Sequence, residues 1–220
     1  MSVNTEQYKK IEEELRVKHV TLVAVSKIKP ASDILVLYNL GQRDFGENYV
    51  QELVEKKEQL PIDINWHFIG HLQSNKVKFI ASFVHLIHGV DSFNLLKEIN
   101  KQAAKNNRVI NCLLQVHIAQ EETKFGLNET ELNELIIKAA DFKNILISGL
   151  MGMASFSDDK NVVRTEFARL KQLFDKLQKQ ETLNFKPEIL SMGMSGDYAM
   201  AIEQGSTMVR IGSLLFGRRI

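Results

Sequence analysis

Apolar runs and amphipathic segments alternate along the whole 220-residue chain. Eight short runs are rich in Val, Ile, Leu, Phe and Met and lack the strict alternation of a half-exposed strand, which is typical of parallel strands buried on both faces. Every run but the last precedes a segment with helical spacing, and one further helix comes first. The predicted strands begin near Val20, Asp44, Asn65, Leu86, Val109, Ile145, Glu188 and Met208.

Apolar positions three and four residues apart mark the helices, and capping residues mark where they begin. Asn48 is predicted to cap the helix after the second strand, and Asn128 opens an Asn-Glu-Thr-Glu capping box after the fifth. The run 109–119 is expected to form the longest strand, and the last strand is expected to span 208–216. The N-terminal helix presents an apolar face made of Tyr8, Ile11 and Leu15.

Regular alternation of strands and helices permits a doubly wound sheet or a closed (β/α)8 barrel. Three observations favour the barrel: the strand count is eight, 220 residues fit the lower end of its size range, and no Gly-x-Gly-x-x-Gly turn marks a dinucleotide crevice. No linker rich in Pro, Gly or Ser divides the chain. We therefore predict an α/β protein, a single TIM-type barrel domain over residues 1–220 with an extra N-terminal helix.

The composition excludes several classes of protein. A hydrophobic share of 44% supports a sizeable core, and a net charge of +1 gives no reason to expect nucleic acid or a membrane surface as partner. Cys112 is the only cysteine, so an intrachain disulfide is impossible. The first 20 residues lack the apolar core of a signal peptide, and no run approaches the ~18 apolar residues of a membrane span. We expect a soluble protein of the reducing cytoplasm.

Polar side chains collect at the C-terminal ends of the predicted strands, where barrel enzymes carry their sites. Lys27 closes the first apolar run. A lysine packed against apolar neighbours can lose its proton and attack an aldehyde, which forms a Schiff base. From its position alone, the simpler interpretation is a solvated lysine at the start of a loop, and the residues at the other strand ends change that balance.

The ends of the last two strands predict a phosphate site. Ser195 and Gly196 precede a predicted helix, so backbone N–H groups and the positive end of the helix dipole face the loop. The alternative is that Ser195 is a plain N-cap and Gly196 a turn residue. Gly212 and Ser213 add donors from the adjacent strand. Arg210 is expected to point into the barrel, where a guanidinium needs a partner.

An amine, a phosphate site and an inward arginine at one barrel mouth suit an aldehyde that carries a phosphate, such as pyridoxal 5′-phosphate (PLP). The aldehyde would join Lys27, and the ring nitrogen would face Arg210. The phosphate would lie at Ser195, Gly212 and Ser213. An arginine beside the ring nitrogen keeps that nitrogen unprotonated and weakens the ring as an electron sink. Limited proton transfer or simple carriage is therefore expected rather than decarboxylation.

Long motifs in the stretches 23–27, 45–52, 66–76, 191–195 and 205–217 occur in an order that resembles the YggS/PROSC family of pyridoxal phosphate homeostasis proteins. The family is similar in fold to the N-terminal barrel of alanine racemase. The resemblance implies a protein that binds and buffers PLP and keeps vitamin B6 and amino-acid pools in balance, with apo forms of PLP enzymes as possible partners. It implies no firm catalytic reaction. The cofactor-binding residues it implies are Lys27, Asn48, Ser195, Arg210, Gly212 and Ser213.

Two positions depart from the family pattern. His117 stands where Asn is usual, and Gly152 stands where Thr is usual. Both are expected near the pocket, so they put details of the ring side of the cofactor in question. The segments expected to carry the Schiff base and the phosphate match the pattern.

Two other functions are alternatives to a PLP carrier. An amino-acid racemase of this type needs a second base opposite Lys27, supplied by a C-terminal β domain and a partner subunit. The last predicted strand lies close to the end of the sequence, so we expect neither that domain nor an oligomer. A Schiff-base aldolase needs an acid–base group, and only Glu47 is evident.

His67, His71 and His117 lie on three different elements without a carboxylate pattern, and we expect no metal site from them.

Overall fold

The computed structural model describes residues 3–121, 125–180 and 182–217. These residues form a closed barrel of eight parallel strands, arranged around the barrel in chain order. The strands are β1 (Thr21–Val25), β2 (Asp44–Glu47), β3 (Asn65–Phe68), β4 (Leu86–Val90), β5 (Ile110–Val116), β6 (Ile145–Gly152), β7 (Phe185–Met194) and β8 (Met208–Ile211).

Helices connect the strands and cover the outside of the barrel. Two single 3-10 turns, Ser74–Lys76 and Gln178–Gln180, accompany them. The α-helices are α1 (Thr5–Val17), α2 (Ala31–Asn39), α3 (Val50–Gln59), α4 (Val77–Ile80), α5 (Phe93–Lys105), α6 (Glu129–Lys138), α7 (Lys160–Leu177), α8 (Tyr198–Glu203) and α9 (Ser213–Phe216). None of these described helices is both long and apolar enough to cross a membrane.

The barrel closes because β1 pairs with both β2 and β8. Ala24 lies opposite Phe45 on one side and opposite Ile211 on the other. β4 and β8 are buried at every position, as expected for parallel strands covered by helices on one face and by the barrel interior on the other. The predicted (β/α)8 barrel with an extra N-terminal helix is confirmed, and the doubly wound sheet is excluded. A single domain over residues 1–220 stays a prediction.

A small apolar cluster fills part of the barrel interior, apart from the larger core between strands and helices. Its members come from five different strands, so they meet at the barrel axis and not on the outer face. Long branched and unbranched side chains fill this space, as in other barrels of this type. The cluster consists of Val23, Leu86, Leu113, Met151 and Met208.

Local sequence signals located most elements correctly. The apolar face predicted for α1 is buried in the structure. The capping box of α6 is also confirmed, since Asn128 Oδ1 accepts from Glu131 N at 3.0 Å and Glu131 Oε2 accepts from Asn128 N at 2.9 Å. At the start of α1, Asn4 N donates to Leu215 O over 2.8 Å, which attaches this helix to α9.

Three predictions about the elements are wrong. Asn48 does not cap α3, because that helix begins only at Val50, after an extended Tyr49. The longest strand is β7 with 10 residues, whereas β5 has seven. The last strand ends at Ile211, because the chain turns at Gly212 and coils into α9. Two side chains of that short helix, Leu215 and Phe216, are buried.

We predict that Gly149→Ala lowers the free energy of unfolding by about 3 kcal/mol or more. Gly149 follows a bulge in β6 and has a φ of +150°, and an alanine Cβ there would overlap the carbonyl oxygen of Ile189. Urea unfolding measures the change. Gly196→Ala is the control, since a Cβ at Gly196 meets no atom within 4 Å. Equal stability of the two variants would contradict the prediction.

Candidate ligand-binding site

A cavity of about 550 Å³ opens at the C-terminal end of the barrel. Pockets for small molecules range over about 300–1,000 Å³, so the space suits a ligand of modest size. All six residues selected from the sequence line this one cavity, although they come from four separate parts of the chain. They are Lys27, Asn48, Ser195, Arg210, Gly212 and Ser213. Their roles toward a ligand stay predictions.

The turn that carries Lys27 is held on both sides of that residue. Lys27 is half-buried and follows the end of β1. Ile28 has a φ of +60°, a strained conformation for a β-branched residue that costs roughly 1–3 kcal/mol. Its N–H donates to Glu52 Oε1 at 2.6 Å, and the carbonyl of Ser26 accepts from Lys56 Nζ at 2.8 Å. These contacts hold the turn in the strained conformation.

A buried ionic cluster supports this turn from below. Glu47 is fully buried, and its Oε1 accepts from Ser26 Oγ at 2.6 Å and from Lys56 Nζ at 2.7 Å. Lys56 Nζ also reaches Glu52 Oε1 at 2.6 Å. Burial raises the pKa of Glu47, and the charge of Lys56 opposes that rise. Glu47 does not line the cavity, so it is not placed to act as the acid–base group that an aldolase would need.

The two segments predicted to bind phosphate lie against each other. Ser195 Oγ accepts from Gly212 N at 3.2 Å, which joins the turn after β7 to the end of β8. The predicted helix starts later than expected, because α8 begins at Tyr198 and its N-cap position is Asp197. The interpretation of Ser195 as an N-cap is therefore wrong, and so is its place directly before a helix.

Arg210 is buried in the cavity wall and bonded to neutral oxygens. Its Nη1 donates to Ser191 O at 2.9 Å and to Ser191 Oγ at 2.7 Å, and its Nη2 donates to Gly152 O at 3.1 Å. These bonds use three of the five N–H donors of a guanidinium, so donors remain for a ligand. Burial lowers the pKa of Arg210 to about 10, against the opposing charge of Asp197. The side chain therefore stays a cation at neutral pH.

Sequence reasoning missed several cavity residues. Lys29 lines the same cavity as Lys27, and its Nζ donates to Phe216 O at 2.6 Å. Its spacing of two residues from Lys27 could have indicated it. Met153 and Met194 also line the cavity. Met153 directly follows β6 and Met194 is the last residue of β7, and their positions at strand ends were visible in the sequence.

The two departures from the family pattern lie away from the cavity side chains. His117 lines a separate groove on the outside of the barrel, and its Nε2 lies 3.0 Å from Glu121 O. A Cβ at Gly152 would meet Ile118 and Leu170, so this position faces the helix layer. Neither residue lines the cavity itself. Gly152 contacts the site through its carbonyl oxygen, which accepts from Arg210.

The three histidines weighed as a metal set lie apart from one another. His67 lies inside the barrel, where its Nδ1 is 2.9 Å from His88 Nε2. His71 Nδ1 lies 3.2 Å from Asp91 Oδ2, and its ring stacks on Phe125 with centroids 4.3 Å apart. His117 lies in the outer groove. The three histidines therefore have different partners and do not form one cluster.

Comparison with known proteins places the fold in a defined class. The family model of the alanine racemase N-terminal domain matches residues 4–219. An alanine racemase from Clostridium difficile 630 has a TM-score of 0.79 with this chain at 15% identity, covering 99% of this chain and 61% of that one. At this identity, the likeness concerns the fold alone.

Two similar proteins narrow the class further. The pyridoxal phosphate homeostasis protein of Aquifex aeolicus is 44% identical over 199 residues, which cover 90% of this chain and 86% of that relative. The structure of PipY from Synechococcus elongatus PCC7942, with PLP bound, has a TM-score of 0.88 at 33% identity and covers 96% of this chain and 99% of that one. This chain belongs to the alanine racemase N-terminal domain family and, within it, to the pyridoxal phosphate homeostasis proteins.

We predict that Lys56→Met destabilises the protein by about 3–5 kcal/mol at neutral pH, because it leaves the buried Glu47 without its cation. Without the cation, the folded state favours the protonated carboxyl, and the unfolded state releases that proton near pH 4.5. The loss of stability should therefore shrink as the pH falls toward this value. Urea unfolding at several pH values measures it.

The matched control is Lys138→Met, which breaks an exposed ion pair of 2.8 Å with Glu134. An exposed pair of this kind contributes little, so its removal should give no measurable change. A loss for Lys56→Met that stays constant across the pH range would show that Glu47 is not the group left uncompensated.

Proposed function

We propose that the chain binds PLP covalently at Lys27 and acts as a carrier and regulator in intracellular PLP and amino-acid homeostasis. The observation that carries the proposal is that one cavity brings together the amine of Lys27, the guanidinium of Arg210 and the paired phosphate-site segments. The name of the Aquifex aeolicus relative and the PLP bound to PipY support the same ligand.

Each polar group of PLP has a matching group in the cavity wall. Lys27 supplies the amine for the aldehyde, and Arg210 has N–H donors left for the ring nitrogen. The buried amide oxygen of Asn48 accepts no hydrogen bond from the described residues, so it can accept from the phenolic hydroxyl. The phosphate is assigned to Ser195, Gly212 and Ser213. Ser195 Oγ accepts from Gly212 N, which leaves the hydroxyl hydrogen of Ser195 to donate to a phosphate oxygen.

The guanidinium of Arg210 favours carriage over catalysis. When bound, PLP supplies an electron sink for reactions at amino-acid carbons, and the sink is strongest when its ring nitrogen is protonated. A permanent cation beside that nitrogen disfavours its protonation. Arg210 therefore keeps the bound ligand in a weakly activating form, which suits storage and transfer.

The wider role follows from carriage. The recipients are apo forms of PLP-dependent enzymes, and the carrier is a monomer whose single domain spans residues 1–220. It acts in the cytoplasm, where a reducing environment suits the buried thiol of Cys112. No nucleic acid takes part, since the net charge is only +1.

We predict that Lys27→Ala abolishes covalent capture of PLP, because no other amine takes over the reaction with the aldehyde. Wild-type protein mixed with PLP is reduced with borohydride, and the modified residue is located by peptide mass spectrometry. Lys29→Ala is the matched control, since Lys29 lines the same cavity. The control should keep its adduct on Lys27. An adduct retained by Lys27→Ala would refute the assignment.

We further predict that the protein does not racemise alanine at an enzyme-like rate. Exchange of the α-hydrogen of alanine in deuterated water, followed by NMR, measures the reaction directly. Enzymes typically turn over at about 10 s⁻¹, and we expect exchange far below this rate in the PLP-loaded protein. Turnover near the typical rate would favour the racemase alternative over the carrier.

A further inference from the structure

A row of polar side chains crosses the barrel interior and ends at Arg210. Asp44 Oδ1 lies 2.9 Å from His67 Nε2, and His67 Nδ1 lies 2.9 Å from His88 Nε2. His88 Nδ1 lies 3.2 Å from Ser191 Oγ, which accepts from Arg210 Nη1 at 2.7 Å. These five residues are called the polar row below. They come from β2, β3, β4, β7 and β8, so the row joins opposite sides of the barrel.

The donors and acceptors of the polar row match in one direction. The carboxylate of Asp44 only accepts and the guanidinium of Arg210 only donates, which fixes both ends. With neutral imidazoles, Ser191 Oγ–H donates to His88 Nδ1. His88 Nε2–H then donates to His67 Nδ1, and His67 Nε2–H donates to Asp44. Every link of the row is thereby satisfied.

Because the polar row is buried, a member left without a hydrogen-bond partner would raise the free energy of the folded state. His67, His88 and Ser191 are at most 1% exposed, and a buried polar group without a partner loses its full solvation. Burial, together with the nearby charge of Arg210, keeps the pKa of His88 well below its usual range. Its ring is therefore neutral. Barrel interiors are ordinarily filled by Val, Ile and Leu, so a polar row there calls for a role beyond filling space.

The two ends of the row indicate that role. At one end, both hydrogen bonds of Arg210 Nη1 go to Ser191, so this serine sets the plane of the guanidinium. At the other end, Asp44 Oδ1 also accepts from Asn65 Nδ2 at 3.2 Å. Although burial opposes it, the hydrogen bond from His67 lowers the pKa of Asp44. The row therefore runs from an anchored carboxylate to the cation of the cavity wall.

We propose that the polar row is a positioning device, in which Ser191 holds the guanidinium of Arg210 toward the ligand and the rest of the row holds Ser191. Asp44, His67 and His88 do not line the cavity, so they act on a ligand only through Arg210. The fixed orientation of Arg210 follows from hydrogen bonds that are present in the ligand-free chain. Its effect on a bound ligand rests on the proposed binding of PLP.

The first experiment observes Arg210 without any ligand. NMR of protein labelled with ¹⁵N in arginine and histidine follows the guanidinium N–H groups and the imidazole tautomers. The row predicts a proton on Nε2 of both His67 and His88, and guanidinium protons of Arg210 that exchange slowly with water. His88→Leu interrupts the row, and the protons of Arg210 should then exchange faster or shift.

The second experiment measures PLP binding from the visible absorbance of the adduct. His88→Leu should weaken binding roughly tenfold to a hundredfold, the range expected when a hydrogen bond to a charged group is disturbed, and should shift the absorbance band. His88→Asn keeps a polar atom near Ser191 and should recover part of the affinity. Ser191→Ala removes only the hydroxyl and should behave like His88→Leu, which keeps the test available if that variant does not fold.

The matched control is Leu86→Ala, two residues before His88 on the same strand and buried in the same interior. It should lose stability, keep the Arg210 signals and change the PLP dissociation constant by no more than about twofold. Equal NMR spectra and equal affinities for His88→Leu and Leu86→Ala would overturn the positioning role. If wild-type protein binds no PLP, the proposed function fails, and the ligand-free spectra still decide whether the row orients Arg210.

Discussion

The pairing of β8 with β1 is the constraint on which the site depends. Because the two strands lie side by side at Ala24 and Ile211, the turn after the first strand meets the turn after the last. Lys27 and Gly212 therefore line one cavity, although they stand near opposite ends of the chain. In an open sheet with these strands at its two edges, the amine and the phosphate-site segments would be separated by its full width.

Two cations, Lys56 and Arg210, are buried among the described residues, and their partners differ. Lys56 is neutralised by the carboxylates of Glu47 and Glu52, and the cluster braces the strained turn of Lys27. Arg210 is bonded to neutral oxygens in the barrel wall. Among the described residues no carboxylate forms a direct ion pair with it, so its charge remains available to a ligand. One cation is therefore structural, and the other shapes the electrostatics of the cavity.

Local sequence signals correctly predicted the features that depend only on residues close together in the sequence. The capping box of Asn128 closes within one turn of helix, and the apolar face of α1 follows from its own spacing. The predicted cap at Asn48 failed because Tyr49 takes the N-cap position and the helix begins at Val50. The backbone of Asn48 packs against Gly70, where a Cβ would collide with it. Glu47 looked like a free acid because its partner Lys56 lies on the next helix, and only packing brings the two together.

The amino-acid sequence by itself determined the alternation of strands and helices, the closed barrel and the set of residues at its mouth. It could do so because the order of apolar and polar residues along the chain indicates strands buried on both faces, the spacing of helices and the ends of strands. The tertiary structure alone decided how those residues are held. The polar row links side chains of five strands across the barrel, and the Lys56 cluster forms beneath Lys27. Such contacts depend on which inward positions face each other, and that register exists only once the barrel has closed.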